Sequence, residues 1–196
     1  MNLTPFTAPL KTGGCVLVRE ITPDDRHLIE VGFAHLSDQS KYFRFLTSKQ
    51  NLTAAELERF TSRNSPDHVA IGAIRDGGPA PEPIGIARYV RLRAPTHGAE
   101  IAITIADDHQ RTGLGSLLLG VLSKFAHLNG ISQFQALVHR RNIPMLGLLK
   151  HFGGEQTTLG GADVEVRLPV LHTAAQLRAS SVGESVRAAC GLAKIA

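Results

Sequence analysis

The spacing of apolar positions changes period along the chain. Val16, Val18 and Ile21, with Arg19 and Glu20 between them, read as a first strand. Thr22-Pro23-Asp24-Asp25 then opens a helix: a capping threonine, proline at the first helical position and acids in the first turn. Leu28, Ile29, Val31, Phe33 and Leu36 continue it. A second short helical piece carries Tyr42, Phe43, Phe45 and Leu46, and Thr53 to Glu56 is a capping-box pattern leading to Leu57 and Phe60. The period then shortens. Residues 68–74, 84–92 and 99–106 read as strands, the first two separated by a Gly/Pro loop at 76–81. Residues 114–128 hold apolar side chains at helical spacing and end at Asn129-Gly130. A strand at 134–139, a helix at 144–152 closed by Gly153-Gly154, and a hairpin of 157–159 with 164–170 turning at Gly160-Gly161 complete the order.

That order predicts an α/β fold: a mixed, mostly antiparallel sheet of about six to seven strands flanked by helices, with one helical crossover near its middle. Residues 1–14 read as a loose leader, 15–170 as one folded domain, and 171–196 as a tail or a docked helix.

Composition narrows the classes. Apolar residues make up 43% and charged residues 19%, so most of the chain has the material for a core. The net charge of +4 is spread rather than gathered into a basic stripe, so nucleic acid is not the expected partner. No segment has the ~18 apolar residues of a membrane span, and no signal peptide is evident, so a cytoplasmic protein is expected. Cys15 and Cys190 lie far apart, without Cys-x-x-Cys or paired-histidine spacing, so no metal is expected.

The candidate chemistry lies between the strand at 99–106 and the helix at 114–128. Gln110-Arg111-Thr112-Gly113-Leu114-Gly115-Ser116 feeds directly into a helix N-terminus. Glycines there clear space for a ligand, and the free N–H groups and helix dipole favour a pyrophosphate. Arg111 adds a positive charge; Thr112 and Ser116 add hydroxyls. A glycine-rich turn without a ligand is the plainer reading of these residues. The dinucleotide fingerprint fails at Leu118, and no Lys-Ser or Lys-Thr completes a P-loop.

Gln-x-x-Gly-x-Gly after a strand and before an amphipathic helix resembles motif A of the GCN5-related N-acetyltransferases (the GNAT superfamily). The element order from about Val16 to Val170 is similar too, as is the segment with Asn142, Pro144, Met145, Leu146 and Leu148. The stretch 36–45 and Ile105-Ala106-Asp107-Asp108 resemble bacterial Pat-type protein-lysine acetyltransferases. The resemblance implies acetyl-CoA as acetyl donor and a sheet splayed between its fourth and fifth strands. Ile103 and Ile105 would then offer backbone groups to the pantetheine arm. Gln110, Arg111, Thr112, Gly113, Leu114, Gly115 and Ser116 would hold the pyrophosphate. Asn142 would bond the pantetheine or shape its slot; as a helix cap before Pro144 it has an equal claim.

Transfer to an amine needs the neutral form, which for lysine is about one molecule in a thousand at neutral pH. Glu100 shares a strand face with Ala102 and Thr104, and the resemblance implies a general-base glutamate on this strand. An exposed strand carboxylate is the alternative. His139 is a second candidate base or a hydrogen-bonded strand end. Many relatives have a tyrosine acid where this chain has Leu149, so the thiolate would leave toward water. Asp107 and Asp108 read as loop solvators, and the phenylalanines of Tyr42-Phe43-Arg44-Phe45 as packing, with Tyr42 or Arg44 as an acceptor-site rim. The expected acceptor is a protein lysine. A small amine such as a polyamine or antibiotic, and a non-catalytic acetyl-CoA-binding module, are the alternatives; a strongly acidic pocket would favour a polycation. The resemblance also admits a homodimer.

Overall fold

The fold was obtained as a computed structural model, which describes residues 2–11, 13–75, 80–171 and 193–195. The chain runs β1 (Phe6–Pro9), β2 (Cys15–Glu20), α1 (Arg26–Ala34), α2 (Asp38–Phe45), α3 (Ala54–Phe60), β3 (His68–Arg75), β4 (Glu82–Arg91) and β5 (Gly98–Ile105). It continues through α4 (Leu114–Leu128), β6 (Gln133–His139), α5 (Ile143–His151), β7 (Glu155–Thr158) and β8 (Asp163–Pro169). The strands form one eight-stranded sheet in the order β1-β2-β3-β4-β5-β6-β8-β7. Each neighbouring pair is antiparallel except β5 with β6, which are parallel because α4 carries the chain across between them.

Seven of these strands match the expected ones. The eighth, β1, lies in residues expected to form a loose leader. It pairs with β2 from Phe6↔Val18 to Pro9↔Cys15, and Leu3, Ala8 and Leu10 are buried. Pro9 is tolerated because β1 is at the sheet edge, where one side of the backbone needs no ladder partner. At the chain's other end, residues 193–195 meet this leader: Leu3 bridges Ile195, and Thr4 N–H donates to Lys194 O at 2.9 Å. Residues 172–192 of the expected tail, including Cys190, and 76–79 of the expected loop lie outside the described residues.

The two sheet faces are divided by strand alternation. Ile101 and Ile103 of β5 join Tyr89, Leu114, Leu118, Leu122 and Phe125 in the core beneath α4. Each such side chain contributes about 1.5–3 kcal/mol on burial. Glu100, Ala102 and Thr104 project to the opposite face, where α1, α2 and α3 pack. Local signals set the helix starts. Thr53 and Glu56 form the expected reciprocal capping box, and Ser37 caps α2 by accepting from Ser40 N–H at 3.2 Å. Gly113, at φ +89°, turns the chain into α4.

Candidate functional site

Three features meet at the middle of the sheet. The first is a wedge. β5 pairs with β6 only from Gly98↔Gln133 to Glu100↔Gln135, and the pairing then stops. Gly98 O accepts from Leu92 N–H, and Ala106 N–H donates to Ile84 O, so the even positions of β5 turn their backbone groups toward β4. Alternation turns those of Ile101, Ile103 and Ile105 into the wedge. Gln110 Nε2 already donates to Ile105 O at 3.4 Å, so the open carbonyls are those of Ile101 and Ile103. Glu100 is exposed and is the last paired residue, at the wedge's apex.

The second feature is the loop into α4. Its first helical rung runs from Leu117 N–H to Gly113 O at 3.0 Å, so the N–H groups of Leu114, Gly115 and Ser116 have no rung beneath them. Gly113 stands at the N-cap and brings no capping side chain. A helix N-terminus built this way favours an anion. Arg111 is exposed and left-handed at φ +61°. The expected donor role of the Thr112 hydroxyl does not hold in this geometry: Thr112 is buried and its Oγ1 donates to His109 O at 2.7 Å. Gln110 reaches sideways, donating at 3.4 Å to Ser40 Oγ and Asp107 Oδ1. Lys11 had no signal in the sequence. Its N–H donates to Thr112 O at 3.1 Å, and its side chain lies 3.4–3.5 Å from where a Cβ on Gly113 would be.

The third feature is a cleft of about 90 Å3 between α1–α3 and strands β3–β5. It is mostly apolar, with Arg19, Arg44, Arg88 and Asp25 in its lining. Arg19 and Asp25 form a bidentate pair at 2.5 and 2.7 Å. That hydrogen bond raises the Arg19 pKa; for Asp25 burial is the largest single effect and acts upward, but the bonds from Arg19 and Thr22 with the Arg19 charge together lower the carboxyl. Arg44 and Arg88 have no such partner among the described residues. Burial pushes Arg44 down to about 10, with the charge of Glu100 opposing and that of Arg59 adding. Burial likewise pushes Arg88 to about 10, helped by Arg44 and Arg59 and opposed by Glu100. Both remain cationic at neutral pH. Arg88 stands in the strand Ile86-Ala87-Arg88-Tyr89-Val90, where a lone charge inside an apolar run is the signal the sequence carries.

Other expectations resolve around these features. Asp107 is no loop solvator: it accepts from Ser37 N–H at 2.9 Å, Ser37 Oγ at 3.0 Å and Ser40 Oγ at 2.6 Å, fixing the start of α2. His139 follows the strand-end reading. Its Nδ1 accepts from Arg141 N–H at 3.1 Å, which turns that nitrogen to the backbone. Phe43 stacks on that ring at 5.5 Å, and Phe45 packs on Phe33 and Phe60, while Tyr42 stays 39% exposed at the rim. Asn142 caps α5, its Oδ1 accepting from Met145 N–H at 3.2 Å. Leu149 is fully buried in the core. Among the described residues there is no cluster able to hold a metal, and no helix long and apolar enough to cross a membrane.

A mixed sheet with a parallel wedge, opened at its centre beside an anion-accepting helix start, defines an acyltransferase fold. The chain belongs to the GNAT family: the family model for the acetyltransferase (GNAT) domain matches residues 16–155. That model describes an acetyltransferase domain, and the family it stands for uses acetyl-CoA. The chain is 31% identical over 173 residues to an acetyltransferase Pat of Mycolicibacterium smegmatis, covering 87% of this chain and 51% of that protein. It thus spans about half the length of that relative. An acetyltransferase of Pseudomonas aeruginosa is 28% identical, covering 83% of this chain and 85% of the other. The crystal structure of the GNAT domain of S. lividans PAT superposes with a TM-score of 0.77 at 31% identity, covering 84% of this chain and 96% of that one. An acetyltransferase fold from Salmonella typhimurium solved with acetyl-CoA has a TM-score of 0.64 at 18% identity, covering 81% of this chain and 96% of that one; the likeness is one of fold.

Proposed function

We propose that the chain moves the acetyl group of acetyl-CoA to a primary amine, a protein lysine, by direct attack, with Glu100 as general base. The observation that carries this reading is the position of Glu100, exposed at the point where β5 leaves β6. The donor supplies an activated thioester. The backbone groups of Ile101 and Ile103 would line its arm, and the N–H groups of Leu114, Gly115 and Ser116 would hold its pyrophosphate, with Arg111 and Lys11 adding charge. Asn142 orders α5 beside the wedge through its cap.

In the transfer, the amine nitrogen bonds the thioester carbonyl carbon and the C–S bond breaks. The lysine ammonium gives one proton to the Glu100 carboxylate before the attack, the nitrogen gives up its second after the C–N bond forms, and both pass on to solvent. Negative charge on the carbonyl oxygen is met by a wedge-facing N–H of β5. Because Leu149 is buried where relatives have a tyrosine, the thiolate leaves without an acid from that position.

The likeness to Pat acetyltransferases supports a protein lysine as acceptor. The cleft also counts against a polyamine, since its lining sets Arg19, Arg44 and Arg88 against Asp25, which is already paired with Arg19. The test is Glu100→Gln with a lysine peptide. We expect kcat to fall by about 10²- to 10⁴-fold near pH 7 with acetyl-CoA affinity retained. The defect should shrink as pH rises toward 10, where the amine loses its proton unaided. A variant with wild-type kcat near neutrality, or a defect independent of pH, removes Glu100 from the role of base.

A further inference from the structure

On the cleft face Arg88 stands opposite Ala102, with Glu100 and Thr104 as diagonal neighbours on β5. Its side chain is 7% exposed, and no described residue donates a carboxylate to it. Arg44 and Arg59 converge on the same place. The three guanidinium groups lie 5.8, 5.4 and 5.0 Å from the Phe60 ring for Arg44, Arg59 and Arg88 in turn. Ring contacts account for only part of this arrangement, because like charges gathered over one ring repel and each loses water. The same cleft shows how the chain treats a structural arginine: Arg19 receives Asp25 in a fork. Among the described residues Arg44 and Arg88 receive no carboxylate in contact, only the charge of Glu100. Thr104 Oγ1 is buried on this face without a partner among the described residues.

We propose that Arg88 and Arg44 form an anion subsite for the acceptor, so that the preferred substrate is an amine whose molecule also carries a carboxylate. The inference rests on Glu100 marking where the amine reacts. Diagonal neighbours on paired strands are about 7–8 Å apart. A carboxylate on Arg88 is therefore about a lysine side chain's length from an amine at Glu100. Two sources have that chemistry: an acidic side chain beside the target lysine of a protein, and the free carboxylate of a small amino acid.

The experiment compares matched acceptors that differ only in charge. Nα-acetyl-lysine is set against Nα-acetyl-lysinamide, and acetyl-Glu-Lys-amide against acetyl-Gln-Lys-amide. In the wild type we expect kcat/KM to favour a carboxylate-bearing member by about ten- to a hundredfold, the range of a charge-assisted hydrogen bond. A preference within the second pair alone identifies an acidic neighbour in a protein; one within the first identifies a small amino acid. In Arg88→Gln and in Arg44→Gln the ratio should collapse toward one. Equal rates within both wild-type pairs, or a preference that survives both substitutions, overturns the proposal. Binding is read separately by thermal melting with glutarate, which should stabilise the wild type and not Arg88→Gln. Stabilisation without acetylation of any lysine compound would sink the lysine reading and leave the anion subsite standing. No stabilisation and no charge preference would sink the subsite alone.

Discussion

His68 begins β3 on the same sheet face as Arg88, and its position sets a pH dependence for the fold. Its Nδ1 lies 3.2 Å from Ser62 Oγ, while Nε2 is buried without a partner among the described residues. Burial, then the charge of Arg88, pushes its pKa down to about 4. In the unfolded chain the same ring titrates near 6.5. Between these values the unfolded state binds the extra proton, so stability is complete above about pH 6.5 and declines as pH falls toward 4. For a half-buried ring we expect a loss of about 1–2 kcal/mol, or roughly 2–6 °C in Tm. Thermal melts of wild type and His68→Gln at pH 4.5 and 7.5 check this: the wild type should lose more on acidification. Parallel losses would mean that His68 carries no differential protonation. Glu100 was legible at this scale because alternation along one strand is enough to place it. Arg88 was not, since its meaning depends on α3 and α2 bringing Phe60, Arg59 and Arg44 around it.

At the scale of elements, α2 is short, and one carboxylate just beyond β5 fixes its start. Asp107 receives three hydrogen bonds from Ser37 and Ser40, across about 70 residues of chain. Burial alone would raise its pKa, but the bonds from Ser37 and Ser40 outweigh that and lower it. The bonds therefore persist above the ordinary carboxylate range and fail as pH falls below it. Asp107→Ala should loosen α2, which carries Tyr42, Phe43 and Arg44 over the wedge and cleft. Amide exchange in Asp38–Phe45 should quicken by about tenfold while that in β4 and β5 is unchanged. Unchanged protection of α2 would show that aromatic packing on His139 and Phe60 suffices to seat it. Most elements were readable because their signals are local. The capping box at Thr53, the stop at Asn129-Gly130 and the Gly160-Gly161 turn each act within a few residues. β1 gave no such signal: four residues ending in Pro9 have little pattern, and the strand exists because β2 offers an edge and Ala8 a buried place.

For the whole molecule, the consequence of β1 is that the N-terminal segment and the donor loop are one assembly. Leu3 closes on Ile195, β1 pairs with β2, and the backbone then delivers Lys11 to Thr112 and Gly113. The helix start there offers N–H groups but only Arg111 as a loop cation, so Lys11 supplies a second charge near a bound pyrophosphate. Two variants separate charge from scaffold. Lys11→Gln should weaken acetyl-CoA by about three- to tenfold at low salt, with the difference fading as ionic strength rises and Tm unchanged. Deleting residues 1–11 removes the charge and also uncovers Val16 and Val18, which are fully buried beside β1. It should lower Tm as well as affinity, since each exposed valine forfeits about 1.5–3 kcal/mol. Calorimetric titration with acetyl-CoA and a melt of each variant distinguish the two effects. If the deletion keeps both affinity and Tm, the N-terminal segment is an appendage to a sheet that is complete from β2 onward. If Lys11→Gln alone reproduces the full loss of affinity, the strand's contribution to the site is the delivery of one ammonium group, and the rest of the segment serves stability.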